Sequence, residues 1–246
     1  MPAVASDASI AYKLASCGAN VALIHSSPNS EPLVRDVERN ITSLPHKPKI
    51  LCIREDLRQV GAASKIVEQL AQWLAEKDFK IHITVKNAGV ELVNSLEDIT
   101  AADFETVYSL NVRVPLLLTQ ALLPHIPPAS RVINIGSVGS RAGSPKMSLC
   151  CSSKAALEGL GVLTRYWAAE LGHNGTVNVA NAGPVQTEML DNISRDILDA
   201  QKKGTPVENR LGTREEVADV VAFLAGPNSM WVTGQTLSIS GGWAMY

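Results

Sequence analysis

Two periodicities alternate along the chain. Ala8–Ser16 places Ile10, Ala11, Leu14 and Ala15 on one helical face, and Cys17-Gly18-Ala19-Asn20 reads as the stop that follows. The next run, Val21–His25, is short, continuously apolar and closed by the polar Ser26–Ser30, as expected for a strand buried on both faces. The alternation then repeats. Helical spacing recurs over Glu31–Ser43, Gly61–Lys77, Asp103–Leu123, Ser152–Leu171 and Arg214–Leu224, interleaved with strand-like runs at Lys49–Ile53, Ile81–Val85, Arg131–Ile135, Thr176–Ala180 and Thr236–Ile239. Strands separated by helices are joined by crossovers, which predicts an α/β fold with a doubly wound parallel sheet covered on both faces. Neither linker nor repeat interrupts it, so residues 1–246 are expected to form one domain. The polar stretch from Gln186 to Arg210 lacks strand pattern and is expected to act as a lid over a ligand. Before Ala8 a strand has room only at Pro2–Ala5, so the first strand is expected to be short or missing.

Charge narrows the partners. Lys and Arg number 22 against 24 Asp and Glu, a net charge of −2, which excludes the basic surplus that nucleic acids or anionic membranes demand. No apolar run reaches the roughly 18 residues of a spanning helix. Cys17, Cys52, Cys150 and Cys151 show no metal-ligand spacing, and the first residues, MPAVASD, lack the features of a secretory signal. A cytoplasmic protein with a small-molecule substrate and no metal is expected.

Several short motifs then follow one another in order: Asp56-Leu57, Asn87-Ala88-Gly89, Asn111, Arg131–Ser137, Ser152–Leu157, Gly183-Pro184-Val185-Gln186-Thr187 and Trp231–Gln235. Together they resemble the short-chain dehydrogenase/reductase family over nearly the whole chain, which implies a Rossmann-like fold. The resemblance implies catalytic roles for Asn111, Ser137 and Lys154. It implies cofactor contacts for Asp56, Asn87, Gly89, Lys154, Gly183, Val185 and Thr187. Substrate contacts are implied for Arg141, Met147, Met189 and Leu190. It also implies a homodimer or homotetramer built on the helices matching Asp103–Leu123 and Ser152–Leu171, with the C-terminal strand as a second interface. Read on its own chemistry, Asp56 is equally a turn carboxylate.

Two positions depart from the family pattern. Four residues before Lys154, where the family carries the tyrosine that protonates the substrate, stands Cys150. Its sulfur lies nearer the backbone than a phenol oxygen and donates weakly. A nearby ammonium could activate it as a nucleophile or base, while the bland reading is a small buried hydrophobe. The glycine-rich turn that holds a pyrophosphate is also unmatched, since no glycine precedes Gly18 and Asp7 reads as an N-cap. On these grounds no cofactor is expected. NADP(H) is the form that fits if one binds, because Ile24-His25-Ser26-Ser27 offers no acidic partner for a ribose hydroxyl. The expected function is a non-redox isomerisation, cyclisation or elimination on an apolar metabolite. An NADPH-dependent carbonyl reductase with another proton donor is the alternative, and an inert subunit the second alternative.

Overall fold

A computed structural model describes residues 4–75, 78–158, 163–187 and 195–246. Its strands all pair in parallel. β1 (Val21–His25) lies beside β2 (Ile50–Arg54), with Val21 opposite Ile50 and His25 opposite Arg54. β3 (Ile83–Lys86), β4 (Ser130–Ser137), β5 (Gly175–Ala182) and β6 (Thr236–Ile239) form a second ladder in that order. The sheet is therefore in two parts, interrupted between β1 and β3. In a doubly wound order the first strand lies at this reversal point, and among the described residues no strand precedes the first helix.

That helix, α1 (Val4–Ser16), serves both parts. Its Ile10 packs with Ile133 and Ile135 of β4, Ala180 of β5 and Val217, Val221 and Leu224 of α9 (Arg214–Ala225). One residue on, Ala11 joins Ala15, Leu23 of β1 and Val34, Val37 and Ile41 of α2 (Glu31–Thr42). A helix whose adjacent positions enter two cores holds the halves in place without a shared hydrogen-bond ladder. A third core joins Ile53 of β2, Ile66 and Leu70 of α3 (Ala62–Leu74), Phe79, and Leu118 and Leu122 of α5 (Val114–Leu122).

Several elements differ from the sequence reading in instructive ways. α1 begins at Val4, so Asp7 lies inside its first turns and is not an N-cap. The helix expected over Asp103–Leu123 is α4 (Ala101–Tyr108) and α5, joined by one π turn, Ser109–Arg113. Thr100 and Asp103 start α4 with a reciprocal capping box, which advances the boundary by two residues. Over the expected helix Ser152–Leu171 the described residues form α6 (Ser148–Glu158) and α7 (Leu163–Leu171), and residues 159–162 lie outside the described residues. The expected lid contains a helix, α8 (Arg195–Lys203), which has no buried residue. Among the described residues, no helix is long and apolar enough to cross a membrane.

A core position at the end of β3 opposes the rule that buried charges are paired. Lys86, the last residue of β3, is only 6% exposed, and its Nζ lies 4.5 Å from the centre of the Trp167 ring with no hydrogen-bond partner. Burial pushes its pKa down from 10.5 to about 7. The folded protein thus releases this proton near neutrality while the unfolded chain keeps it, so this group adds stability as the pH rises above about 7 and least below it. Lys86→Met is expected to raise Tm at pH 6.5 by more than about 3 °C, with a smaller gain at pH 8.5. A lower Tm at both values would mean that the ammonium–indole contact outweighs the cost of burial.

Candidate active site

The carboxyl ends of β3, β4 and β5 meet the start of α6, the edge where ligands bind in doubly wound folds. At the centre is Asn111, which is fully buried in the π turn. Its Oδ1 accepts from the Val90 N–H at 2.8 Å, and its Nδ2 donates to the Val90 carbonyl at 2.9 Å and to Ser153 Oγ at 2.9 Å. The amide closes a backbone-like bridge onto the loop after β3 and ties that loop to α6. A π turn inserts one residue into the helical register, and it is common where a helix must aim a side chain at a functional site.

Lys154 on α6 reaches the same place. Its Nζ donates to the Ile135 carbonyl at 2.9 Å. A Cβ placed on Gly89 would stand 3.1 Å from that nitrogen and 3.3 Å from Asn111 Oδ1. Glycine at 89 lets the loop, the amide and the ammonium close on one another. Ser137 ends β4, where its half-buried Oγ accepts from the Gly139 N–H at 3.2 Å, leaving the hydroxyl proton available to a ligand. A Cβ on Gly139 would lie 2.9 Å from Cys151 Sγ, so the serine turn packs directly on α6.

The structure thus brings Asn111, Ser137, Lys154, Asn87 and Gly89 to one edge. Gly183 begins the segment after β5, where its N–H donates to the Ile239 carbonyl and a Cβ would meet Ser240 Cα at 2.7 Å. Val185 bridges Gly212, and Thr187 is half-buried beyond it. Asp56 lies apart from this cluster in its bonding: Arg58 and Gln59 occupy both carboxylate oxygens, and the Arg58 guanidinium holds its pKa below the usual carboxylate value. Met147 is half-buried just before α6, while Met189 and Leu190 lie outside the described residues.

Cys150 carries no activated thiol. It is 8% exposed, and burial together with Glu91 pushes its pKa up to about 11, overriding the opposite pull of Lys154. The nucleophile or base imagined for it needs a thiolate, which this environment suppresses.

Other groups were missed. Glu158, one turn beyond Lys154 and 3% exposed, accepts from Ser140 Oγ and Asn181 Nδ2 and pairs with Arg141 Nε at 3.1 Å. Its i+4 spacing from Lys154 was visible in the sequence and would have placed it on that helix face. The C-terminal residue closes this group: Asn181 Nδ2 donates to the Tyr246 hydroxyl at 3.0 Å, and the Arg141 guanidinium lies 4.1 Å over the Tyr246 ring. Arg141, expected at the substrate, is committed to a carboxylate and an aromatic face. Among the described residues, no group of three or more His, Cys, Asp or Glu side chains is placed to hold a metal ion.

Comparison with known proteins decides the family. Residues 4–244 match the model described as enoyl-(acyl carrier protein) reductase. The chain is 33% identical over 253 positions to the short-chain dehydrogenase/reductase FrzI of Cladobotryum sp, covering 96% of this chain and 90% of that one. The chain belongs to the short-chain dehydrogenase/reductase family. Among solved members, the enzyme from Serratia marcescens BCRC 10948 superposes with a TM-score of 0.88 at 32% identity, covering 98% of this chain and 94% of that one. A blue fluorescent protein from a metagenomic library, in complex with NADPH, superposes with a TM-score of 0.87 at 31% identity over the same shares.

These likenesses correct two expectations. A non-redox isomerisation, cyclisation or elimination is overturned by relatives that are dehydrogenases and reductases. A site without cofactor is overturned by the NADPH complex of a neighbour sharing nearly the whole fold. The glycine-rich turn that the sequence lacks concerns the phosphates alone, whereas Gly89, Asn111 and Lys154 come together at the sheet edge.

Removing the Asn111 amide leaves both Val90 backbone groups unpaired in the interior. Asn111→Ala is expected to lower the stability measured by urea denaturation by about 2–4 kcal/mol. A loss below about 0.5 kcal/mol would show that the Val90 loop is held by other contacts.

Proposed function

We propose that the protein is an NADPH-dependent carbonyl reductase acting on an apolar ketone or aldehyde, a divergent family member with a thiol at 150 in place of the tyrosine. The observation that carries this reading is the closure of Lys154, Asn111 and Gly89 around one point at the sheet edge, with Ser137 beside it. The residues present fit the nicotinamide half of the cofactor. A side chain at 89 would fill the space between the ammonium and the amide, and glycine leaves it clear.

When bound, the reduced nicotinamide supplies a hydride to the carbonyl carbon. Lys154 would hold the cofactor's ribose hydroxyls and place a positive charge near the developing oxyanion. Ser137 donates its free hydroxyl proton as a hydrogen bond to the carbonyl oxygen, polarising it and fixing the face presented. Asn111 acts by positioning the Val90 loop. Asn87 and Gly89, with Gly183, Val185 and Thr187, would hold the nicotinamide half of the cofactor. Preference for the phosphorylated cofactor is supported at the end of β1, where His25-Ser26-Ser27 carries no carboxylate and Arg54 ends the neighbouring strand. Arg54 is 3.6 Å from Glu31, an exposed pair weak enough for a phosphate to compete with it.

Met147, Met189 and Leu190 contribute to an apolar substrate surface, and α8 belongs to the lid. Trp243 belongs to the same cover: a Cβ on Gly204, just after α8, would lie 3.5 Å from its ring. Assembly as a homodimer or homotetramer is supported by Phe104, Leu116 and Tyr166, large apolar side chains that α4, α5 and α7 leave exposed.

Titration of the protein with NADPH and NADH, followed by nicotinamide fluorescence, tests the proposal. Micromolar binding of NADPH, at least about tenfold tighter than NADH, is expected, and Lys154→Met is expected to weaken it by about tenfold or more. Absence of NADPH binding up to millimolar concentration would overturn the reading. Ser137→Ala is expected to leave that binding unchanged and lower kcat by about 10²–10³.

A further inference from the structure

A reduction of this kind consumes a proton at the carbonyl oxygen, and the obvious donors are engaged or unsuited. Cys150 is buried and its thiol is pushed to about 11. Tyr108 donates its hydroxyl proton to Ser152 Oγ at 2.8 Å, and Tyr246 is drawn to Asn181 and Arg141. A carboxyl group stands in the same neighbourhood. Glu91 directly follows Val90, the residue that Asn111 grips through both backbone groups. Three residues later the Asn94 N–H donates to the Lys146 carbonyl at 2.9 Å, just ahead of α6. The segment carrying Glu91 is pinned at both ends, one end to the π turn and the other to the approach to α6.

The Glu91 charge influences titratable groups on α6. It raises the pKa of both Cys150 and Cys151, and Lys154 pulls that of Cys150 the other way, as groups within electrostatic reach of one another do. Glu91 is half-buried and enters no ion pair among the described residues. Burial holds its pKa above the ordinary carboxylate value, with no hydrogen bond to the charged form opposing the shift. A carboxyl so placed keeps its proton to higher pH and suits a general acid.

We propose that Glu91 is the proton donor of this active site. The role rests on the reductase reading and completes it. As the hydride supplied by the reduced nicotinamide forms the new C–H bond and the nicotinamide is oxidised, the Glu91 O–H bond breaks and its proton passes to the carbonyl oxygen. The carboxylate then regains a proton from water. Position 150 no longer needs an acid, which accounts for a small buried thiol there.

The test compares wild type with Glu91→Gln, which preserves shape, and with Glu91→Asp, which keeps the acid but shortens its reach. With 1-phenyl-1,2-propanedione as the probe ketone, Glu91→Gln is expected to lower kcat at least about 10²-fold while NADPH binding stays within about twofold. The fall of wild-type kcat with rising pH, caused by loss of the carboxyl proton, is expected to vanish in the Gln variant, and Glu91→Asp to recover part of the rate. A second readout needs no turnover: alkylation of Cys151 by iodoacetamide, followed by peptide mass spectrometry, is expected to shift to lower pH once the negative neighbour is removed. A Gln variant with kcat within about twofold of wild type overturns the donor role and leaves the reductase reading intact. An unchanged alkylation profile overturns it by placing the carboxyl away from α6. Failure of the wild type to bind NADPH overturns the reductase reading itself, while the alkylation shift still locates Glu91.

Discussion

The Asn111 amide is the interaction on which the active-site edge depends. By presenting an acceptor and a donor to the same residue it imitates a strand partner, and it captures the loop after β3 where no strand is available to do so. Its third bond, to Ser153, sets α6 against that loop, which brings Lys154 to its hydrogen bond with the end of β4. A buried amide with each bond made specifies a single arrangement, because every alternative leaves a polar group unpaired. The π turn is the local distortion that lets a helix in this position aim Asn111 inward.

The fold was legible from periodicity, and the reasons are physical. β1 and β6 carry the boundaries expected of them because short apolar runs closed by polar residues leave little choice of register. Helix ends were less legible, since a capping box such as Thr100 with Asp103 begins a helix before its first apolar position. The π turn was invisible because one inserted residue barely disturbs an apolar pattern as dense as Val112–Leu123. The interruption between β1 and β3 could be foreseen only as a weak first strand. What sequence could not show is how α1 offsets it, by sending Ile10 into one core and Ala11 into another.

The site divides in the same way. Asn111, Ser137 and Lys154 were readable because their spacing matched a known order, and the structure draws them together. Glu91, Glu158 and Tyr246 gave weaker signals, since each acts through a partner distant in sequence: Glu91 on the thiols of α6, Glu158 on Asn181 and Tyr246 on Arg141. Cys150 shows the limit of spacing arguments. One turn from an ammonium, its thiol was open to activation, yet desolvation dominates over the attraction of Lys154 and keeps it protonated. Losses at two positions suggested abandoned redox chemistry. The reductases that resemble this chain, one of them solved with NADPH, point the other way.

The central claim is that hydride moves from NADPH to a carbonyl carbon at this edge. Incubation with 1-phenyl-1,2-propanedione and NADPH deuterated at the transferable C4 position, followed by mass spectrometry of the products, tests it directly. The account predicts a hydroxyketone carrying one deuterium on the carbinol carbon, formed by wild type and lost in Lys154→Met. Product with no deuterium on carbon, or no reduced product from wild type in saturating NADPH, would contradict it.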